Sequence, residues 1–274
     1  MAFNPKVNRG QVLSNHDIVS IFGCGIQGGM RRSHQTNSLV MISDHTRGIY
    51  KDRWEGNTLH YTGMGLTGHQ HINASQNRTL SESRQNIIGL YLFEVFKAGE
   101  YIYQGKVELV GEPYKEKQLD TQSKVRDVWM FPLRLVGHEK PTAIDENVYI
   151  SESNRRERNA SKLSDPELQS RIDNTSKKPG TRYVTSKQYD RNEYVAEKAK
   201  RRANGKCQLC GNVAPFRDNN HKPYLEIHHI KWLSQGGHDT IQNTVALCPN
   251  CHRKMHILDF TEDRGILIGK TAAF

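Results

Sequence analysis

"CPNCHRKMH", residues 248–256, places two cysteines and two histidines within nine positions and decides how the C-terminal part of the chain folds. Cys248 and Cys251 have the C-x2-C spacing of a metal knuckle, and a second such pair, Cys207 and Cys210, lies upstream. A structural zinc ion takes four soft ligands in a tetrahedron. The two pairs together therefore predict one complete zinc site.

The histidines of the same stretch are free for another role, because the four cysteines already fill that site. His252 and His256 are four positions apart, so they share one face if the stretch is helical. Upstream, "YLEIHHIKWLSQGG" is typical of a strand that ends in His228 and His229 and leads into a Gly-Gly turn. Adjacent strand residues point to opposite faces. One of these histidines can therefore bind a second metal while its neighbour faces a substrate.

This pattern meets the needs of phosphodiester hydrolysis. A divalent cation stabilises the charge that develops on the phosphate, and a neutral imidazole with an ordinary pKa of about 6.5 accepts a proton from the attacking water. A further polar side chain must orient the base, and Asn243 in "DTIQNTVALCPNC" is available. The alternative is a purely structural ribbon with incidental histidines. Three histidines placed beside the knuckles favour the catalytic interpretation.

The segments "CQLCGNVAPF" and "YLEIHHIKWLSQGGHDTIQNTVALCPNCHRKMH" resemble the HNH, or ββα-metal, nuclease family, specifically its four-cysteine branch in McrA-like modification-dependent restriction endonucleases. The resemblance implies that His229 is the general base and that Asn243 fixes the loop and the base. It also implies three ligands of a catalytic cation: His228, His252 and His256. Many relatives have aspartate at the first of these positions. An all-imidazole set suits Mn²⁺, Co²⁺, Ni²⁺ or Zn²⁺ as well as Mg²⁺.

The N-terminal part is rich in glycine and in short β-type runs such as "LYLFEVF" and "VWMFPLRLV", which predict a largely antiparallel sheet or barrel. Within it, "GIYKDRWEGNTLHYTGMGLTGHQ" (48–70) combines tyrosines, a carboxylate and a hydroxyl with a glycine-spaced loop. Such parts can build a pocket for an extruded base, and a carboxylate that accepts from an exocyclic amine favours cytosine. On these residues alone, an ordinary β-domain with core tyrosines is the favoured interpretation.

A resemblance changes that balance. "SLVMISDHTRGIYKDRWEGNTLHYTGMGLTGHQ" and the later "QNRTL" resemble the SRA (YDG) domain, a β-barrel fold that flips 5-methylcytosine out of duplex DNA. The resemblance implies that Asp52 accepts from the cytosine amine while Tyr50 and Tyr61 sandwich the ring. Thr62 and the Gly63 backbone would complete the contacts to the base edge.

The segment "FGCGIQGGMRRSHQTNS" would then form loops toward the DNA. Arg31 and Arg32 are its candidates for phosphate or groove contacts. Solvated surface arginines are an equally favoured alternative. The remaining cysteine, Cys24, is expected to be a buried small apolar residue.

The composition indicates a polyanionic partner. Lys and Arg exceed Asp and Glu by ten among 274 residues, with a pI of about 9.4, which favours nucleic acid or an anionic membrane. The sequence lacks an apolar run of about 18 residues and a signal peptide, so we expect a cytoplasmic protein with no membrane partner. Residues 151–202 have 14 Lys/Arg against 8 Asp/Glu. They form either a solvated, partly helical linker or one that also lies along DNA phosphates.

Together these features predict a multidomain α+β protein. Its predicted parts are an SRA-like β-barrel domain with flanking helices (1–150), a basic, partly helical linker (151–195), and a ββα-metal HNH domain with structural zinc (196–274).

The predicted function is a prokaryotic, type IV-like restriction endonuclease that cuts duplex DNA containing 5-methylcytosine or 5-hydroxymethylcytosine. It would use a catalytic Mg²⁺, Mn²⁺, Co²⁺ or Ni²⁺ ion and no nucleotide triphosphate, since the sequence has no P-loop. Cleavage of both strands by a one-site nuclease predicts a homodimer. The alternatives are a non-catalytic reader of modified DNA and an HNH nuclease whose N-terminal domain reads a different DNA modification.

Overall fold

The computed structural model describes residues 3–137 and 139–272. These residues divide into two compact units, one ending at Ser186 and the other starting at Lys187. Each unit has its own buried apolar core. The domain boundaries derived from the sequence, after residues 150 and 195, stay predictions. None of the helices in the described parts of the chain combines the length and the apolar character needed to span a bilayer.

The N-terminal unit is built on a nine-stranded sheet in the order β2-β3-β6-β7-β9-β5-β4, with β1 paired to β7 and β8 paired to β9. The strands are β1 (Val12–Leu13), β2 (Met30–Ser33), β3 (Ser38–Asp44), β4 (Arg53–Glu55), β5 (Thr58–Thr62), β6 (Gly89–Lys97), β7 (Glu100–Leu109), β8 (Tyr114–Leu119) and β9 (Val125–Leu135). Only β3 and β6 pair in parallel within this sheet. The predicted SRA-like, mainly antiparallel sheet is therefore confirmed.

The position of β6 in the sheet explains why its sequence is a nearly continuous apolar run. It lies between β3 and β7, and both of its faces are covered. Leu90 and Leu92 point into one core cluster, whereas Tyr91 and Phe93 point into a second cluster on the opposite face. Glu94 is the exception, a carboxylate with no exposed surface in the same strand.

Helix α1 (Asn15–Phe22) closes the second of these clusters. Ser14 and Asp17 form a capping box at its start, and Gly23 ends it in the left-handed conformation with φ of 61°. Its apolar face packs on the sheet, where Cys24 is also buried, as the sequence predicted.

Two helices lie in or overlap the predicted basic linker (151–195): α3 (Glu146–Ala160), which begins before it, and α4 (Asp165–Asp173). A shorter helix, α2 (Ser75–Ser81), lies earlier in the chain. After α4 the chain returns to the sheet: the backbone N–H of Thr181 donates to the carbonyl of Trp54 over 2.7 Å. Strand β11 (Val184–Thr185) then pairs in parallel with β10 (Ile144–Asp145). Residues 181–185 therefore form a strap that fastens this segment to the N-terminal sheet.

The C-terminal unit contains two short antiparallel strands followed by a helix. Its elements are α5 (Glu193–Ala203), β12 (Glu226–His229), β13 (Thr244–Leu247), α6 (Pro249–Ile257) and α7 (Thr261–Thr271). Asn192 caps α5, and Asn204 ends it in the left-handed conformation. Leu247, Met255 and Leu267 pack together in the core of this unit. The predicted α+β multidomain class is confirmed.

Candidate metal centres and base pocket

The four cysteines of the two C-x2-C pairs form one cluster. The sulfur atoms of Cys207, Cys210, Cys248 and Cys251 all lie within 4.8 Å of one another. Gly211, with φ of +77°, allows the tight turn in which its N–H donates to the carbonyl of Cys207 over 2.9 Å. Two distant parts of the chain therefore supply one set of ligands.

This cluster fits a tetrahedral cation. Burial and then the neighbouring sulfurs raise the pKa of the Cys251 thiol well above its ordinary value. Four thiolates at these distances repel one another unless a cation lies between them. Soft sulfur ligands in this number suit zinc.

A second cluster consists of His228, His252 and His256, with one nitrogen of each ring within 4.8 Å of the others. His228 comes from β12, and the other two come from successive turns of α6. The Nε2 atoms of His252 and His256 are 3.1 Å apart. Since the cysteines do not use these imidazoles, the two clusters are separate sites.

The histidine cluster also fits a metal ion. His228 is 2% exposed, and neither ring nitrogen has a hydrogen-bond partner among the described residues. Burial, and then the charges of His256 and His252, lower the pKa of His228 to about 3, so this imidazole is neutral at ordinary pH. A neutral buried imidazole without a partner is a ready metal ligand. Nδ1 of His252 contacts Glu226 over 2.5 Å, which directs its Nε2 toward the other two rings.

His229 lies on the opposite face of β12 from His228, as strand alternation predicts. Its side chain is 5% exposed, and its Nε2 contacts Oδ1 of Asp239 over 2.8 Å. Nδ1 is therefore the ring nitrogen left to accept a proton. The second oxygen of Asp239 accepts from the backbone N–H of Asn192, at the start of α5.

Asn243 holds the loop between β12 and β13. Its Oδ1 accepts from the Lys231 N–H over 2.8 Å, and its Nδ2 donates to the carbonyls of Lys231 and His238 over 2.9 and 2.8 Å. These bonds fix the loop that carries Asp239. The role of Asn243 in orienting the base stays a prediction, because the residue that contacts His229 directly is Asp239.

Sequence reasoning missed the two carboxylates that contact these histidines, Glu226 and Asp239. Glu226 precedes His228 by two positions in a strand, so the alternation of side chains places both on the same face. That spacing could have indicated a partner for His252. Asp239 stands just after the Gly-Gly turn, but its contact with His229 depends on the path of the whole loop.

In the N-terminal unit, Asp52 lies at the centre of the candidate base pocket. Its Oδ1 accepts from the backbone N–H of Thr62 over 2.7 Å, and its Oδ2 accepts from the Ser43 hydroxyl over 2.8 Å. Burial raises the pKa of Asp52, although these hydrogen bonds oppose the rise. Each carboxylate oxygen keeps a second lone pair for another donor.

The two tyrosines predicted to sandwich a base differ in accessibility. Tyr50 is half-buried, and its hydroxyl lies 3.4 Å from both the N–H and the carbonyl of Gly65. The Tyr61 side chain is 3% exposed and belongs to the main core cluster, with its hydroxyl 2.9 Å from the Gly29 carbonyl. Stacking by both rings stays a prediction.

Thr62 and Gly63 line the end of β5, next to Asp52. The N–H of Gly63 donates to the Trp129 carbonyl over 2.7 Å, and its carbonyl accepts from Gln70 over 2.6 Å. A Cβ at Gly63 would lie 2.8 Å from the amide oxygen of Gln70, so any larger residue would have to displace that side chain. Both backbone groups of Gly63 are engaged within the protein. Contacts from these two residues to a base stay predictions.

A chain of polar contacts joins the base pocket to the strap. Ser43 Oγ lies 3.4 Å from Nε2 of His45, which contacts Glu94 over 2.9 Å. Nη1 of Arg182 in the strap donates to both Glu94 oxygens, over 2.8 and 2.9 Å. The buried carboxylate of Glu94 therefore has the guanidinium of Arg182 as its cationic partner. Through His45 the network reaches Ser43, which donates to Asp52.

The two arginines predicted to contact DNA are engaged within the unit. Arg31 is 6% exposed and donates to the Gly28 carbonyl and to Asn15. Arg32 donates to the Ser38 carbonyl over 3.0 Å and to Asn37 over 2.6 Å. Their contact with DNA stays a prediction.

The family comparisons confirm both resemblances that the motifs indicated. Residues 9–151, just over half of the chain, match the family of ScoMcrA-like SRA domains, and residues 207–257 match the HNH endonuclease family. The type IV methyl-directed restriction enzyme EcoKMcrA of Escherichia coli (strain K12) is 47% identical over 81 residues, which span 30% of this chain and 29% of that enzyme.

Two solved structures are similar over most of this chain. The type IV phosphorothioation-dependent restriction endonuclease ScoMcrA is 17% identical with a TM-score of 0.40, over 98% of this chain and 63% of that one. The modification-dependent TagI restriction endonuclease is 18% identical with a TM-score of 0.36, over 93% of this chain and 80% of that one. The chain thus spans less than two thirds of EcoKMcrA and of ScoMcrA.

Proposed function

Since the chain belongs to the family of ScoMcrA-like SRA domains and carries an HNH endonuclease domain, we propose that it is a modification-dependent DNA endonuclease. The N-terminal unit reads a modified cytosine in duplex DNA, and the C-terminal unit hydrolyses the phosphodiester backbone. The cell would use this activity in its cytoplasm to restrict modified foreign DNA.

One observation carries the proposal: the C-terminal unit has two separate ligand clusters, and a histidine–carboxylate pair lies on the opposite face of β12 from His228, a member of one cluster. The cysteine cluster can hold a structural zinc ion and leaves the cluster of His228, His252 and His256 for a second cation. His229 with Asp239 supplies a base next to that second site. A structural ribbon alone has no need of the buried, unpartnered imidazole of His228.

The residues of this unit divide the chemistry among them. When bound, a divalent cation such as Mg²⁺, Mn²⁺, Co²⁺ or Ni²⁺ would stabilise the negative charge that develops on the phosphate and the leaving oxygen. His229 accepts the proton of the attacking water at Nδ1. Asp239 holds the imidazole through Nε2 and favours its protonated form after that transfer. Asn243 keeps the loop in place, so that Asp239 stays within reach.

In the N-terminal unit, Asp52 accepts from the exocyclic amine of an extruded 5-methylcytosine or 5-hydroxymethylcytosine. The relative EcoKMcrA is a methyl-directed restriction enzyme, which supports a methylated base. Burial of one methyl group contributes about 0.8 kcal/mol, a preference of only about fourfold. Reading of two modified bases by a homodimer would multiply that ratio and would also allow both strands to be cut.

A second candidate function is an HNH nuclease whose N-terminal unit reads a different DNA modification. The 3% exposure of Tyr61 favours this alternative, because a ring inside the core offers no face for stacking. The N–H and the carbonyl of Gly63 also favour this alternative, because both are hydrogen-bonded within the protein. In that case the two units keep their roles, and only the chemistry that is read changes.

Cleavage of matched plasmids tests the proposed function. We expect the full chain to cut a cytosine-methylated plasmid and to leave the unmodified plasmid intact. Cleavage should require Mg²⁺, Mn²⁺, Co²⁺ or Ni²⁺, because the histidine cluster must bind a cation. Conversion of supercoiled plasmid to nicked and linear forms is measured on gels.

Three outcomes of this assay are informative. Selective binding without cutting under every cation would favour the non-catalytic reader. Cutting of a phosphorothioated plasmid but not of a methylated one would favour the second candidate. Equal cutting of modified and unmodified plasmids would contradict the proposed role of the N-terminal unit.

Asp52→Asn is expected to reduce the affinity for methylated duplex by about 10- to 100-fold, the range for loss of a charge-assisted hydrogen bond of 1.5–3 kcal/mol. The amide presents a donor where the cytosine amine needs an acceptor. Because burial raises the pKa of Asp52, the ionised carboxylate costs stability above its ordinary pKa. The variant should therefore be at least as stable as wild type at neutral pH. Fluorescence anisotropy and thermal unfolding provide the two measurements.

Glu108→Gln is the matched control, because it removes the charge of an exposed carboxylate in β7 that lines neither the candidate base pocket nor its neighbouring cavity. It should bind methylated duplex as wild type does. Unchanged binding by a folded Asp52→Asn variant would contradict the assignment of Asp52 to the base.

A further inference from the structure

A cationic cavity lies beside the candidate base pocket. It has a volume of about 310 Å³ and is formed by the loop after β3, the turn between β8 and β9, and the C-terminal end of α4. The loop contributes Arg47 and Lys51, and the helix contributes Arg171. Lys51 stands between Tyr50 and Asp52 in the sequence, so the cavity adjoins the residues assigned to the base.

The positive charge around this cavity is only partly neutralised. After the larger effect of burial, the charges of Arg171, Arg156 and Arg155 lower the pKa of Lys51. Arg155 pairs with Glu152, but in the described parts of the chain no carboxylate forms an ion pair with Lys51, Arg156 or Arg171. Like charges held this close without partners favour an anionic ligand.

Two polar side chains of the lining support this interpretation. Asp120 is the only lining carboxylate among the described residues, and it accepts from the N–H groups of Gln122 and Lys124 over 2.8 and 2.9 Å. The Asp120 carboxylate is therefore already hydrogen-bonded to backbone N–H groups of its own turn. Gln118 is 1% exposed, and its Oε1 has no partner among the described residues. A water that bridges this oxygen to a bound anion would satisfy it.

We infer that this cavity binds a phosphodiester of the DNA strand whose modified base occupies the neighbouring pocket. The inference rests on the proposed function. An extruded base remains attached to its own backbone, so the flanking phosphates pass close to the pocket. Lys51 reaches them from the loop, and Arg171 reaches them from α4. Helix α4, which lies in the predicted linker, thereby becomes part of the DNA-binding surface of the reader.

Salt dependence of DNA binding tests this assignment. The affinity of the full chain for methylated and unmodified duplexes is measured over a range of KCl concentrations, without added divalent cation. Lys51→Gln and Arg171→Gln should each lower the magnitude of the slope of log affinity against log salt by about 0.9, the value for one lost phosphate contact. Both duplexes should lose affinity by the same factor, because phosphate contacts do not read bases.

Two control variants make the result decisive. Lys97→Gln removes an exposed lysine that pairs with Glu100 in the β6–β7 hairpin, and it should leave the slope unchanged. Lys51→Arg keeps the charge and should restore most of the slope. Thermal unfolding shows whether each variant is folded, and a slope change shared by Lys97→Gln would overturn the assignment.

The remaining outcomes separate other possibilities. Unchanged slopes in folded Lys51→Gln and Arg171→Gln would overturn the inference. A further result would also overturn it: inorganic phosphate raises the melting temperature of wild type but not of Lys51→Gln, while the salt slopes stay unchanged. The cavity would then bind a free anion rather than a DNA phosphate. Failure of wild type to prefer methylated duplex would count against the proposed function only. The slopes on unmodified duplex would still decide the phosphate contact.

Discussion

Replacing His229 with alanine is expected to slow DNA cleavage by about 10²- to 10⁴-fold, the usual contribution of a general base. DNA binding should be unchanged, because the cation ligands lie on the other face of β12 and the base pocket lies in the other unit. The rate of nicking of a methylated plasmid gives the first result. Anisotropy with a methylated duplex gives the second.

His238→Ala is the matched control for this variant. The side chain of His238 is exposed, and only its carbonyl is used, as an acceptor for Asn243. Alanine keeps that carbonyl, so cleavage should proceed at the wild-type rate. A His229→Ala protein that cuts as fast as His238→Ala would remove His229 from the reaction.

Asp239→Asn should give an intermediate rate. The amide oxygen can still accept from Nε2 of His229 if the bond from the Asn192 N–H is given up, but it carries no charge to favour the imidazolium. An effect as large as that of His229→Ala would indicate that the loop collapses without the carboxylate. Amide hydrogen exchange of the loop between β12 and β13 distinguishes the two cases.

The two clusters of candidate metal ligands could be predicted from the sequence because the spacing of cysteines and histidines constrains which side chains can meet. A C-x2-C pair brings two sulfurs to one ion, and histidines four apart share a helix face. Glu226 and Asp239 were not found. The contact of Glu226 depends on where α6 places His252, 26 residues later, and that of Asp239 depends on the path of the loop after His229. The same limit applies to Asn243, whose amide binds the loop rather than the imidazole.

In the N-terminal unit the sequence predicted the SRA-like, mainly antiparallel sheet but not which polar groups are available to a ligand. Leu59 and Tyr61 alternate in β5, and that alternation buries both in the same cluster. The double arginine at residues 31 and 32 indicated DNA contact through its charge. Its hydrogen bonds within the unit depend on tertiary neighbours that no local pattern reveals.

Arg182→Met is expected to lower the free energy of unfolding of the N-terminal unit by roughly 3–5 kcal/mol, the usual cost of removing one partner of a buried ion pair. Glu94 has no exposed surface and would keep only His45 and the indole N–H of Trp54 as partners. A surface cation would matter far less. Urea unfolding of the full chain, followed by hydrogen exchange of β6 peptides, measures the loss in this unit.

The dependence on pH follows from the pKa of Glu94. Burial alone would raise it, but the charge of Arg182 and the contact with His45 lower it from 4.5 to about 2. The carboxylate therefore contributes stability above pH 4.5, and wild type loses that contribution as the pH falls toward 2. In Arg182→Met the unpaired carboxylate takes up a proton more readily. Its stability deficit should be largest at neutral pH and should shrink in acid.

A double variant distinguishes loss of charge balance from loss of packing. Arg182→Met combined with Glu94→Gln removes both charges of this ion pair, so it should recover a large part of the stability that Arg182→Met loses. If the double variant is no more stable than Arg182→Met, the strap acts through packing instead. Because the network ends at Ser43 and Asp52, a recovered fold with weakened binding of methylated duplex would show that Glu94 also positions Asp52, the carboxylate proposed to contact the base.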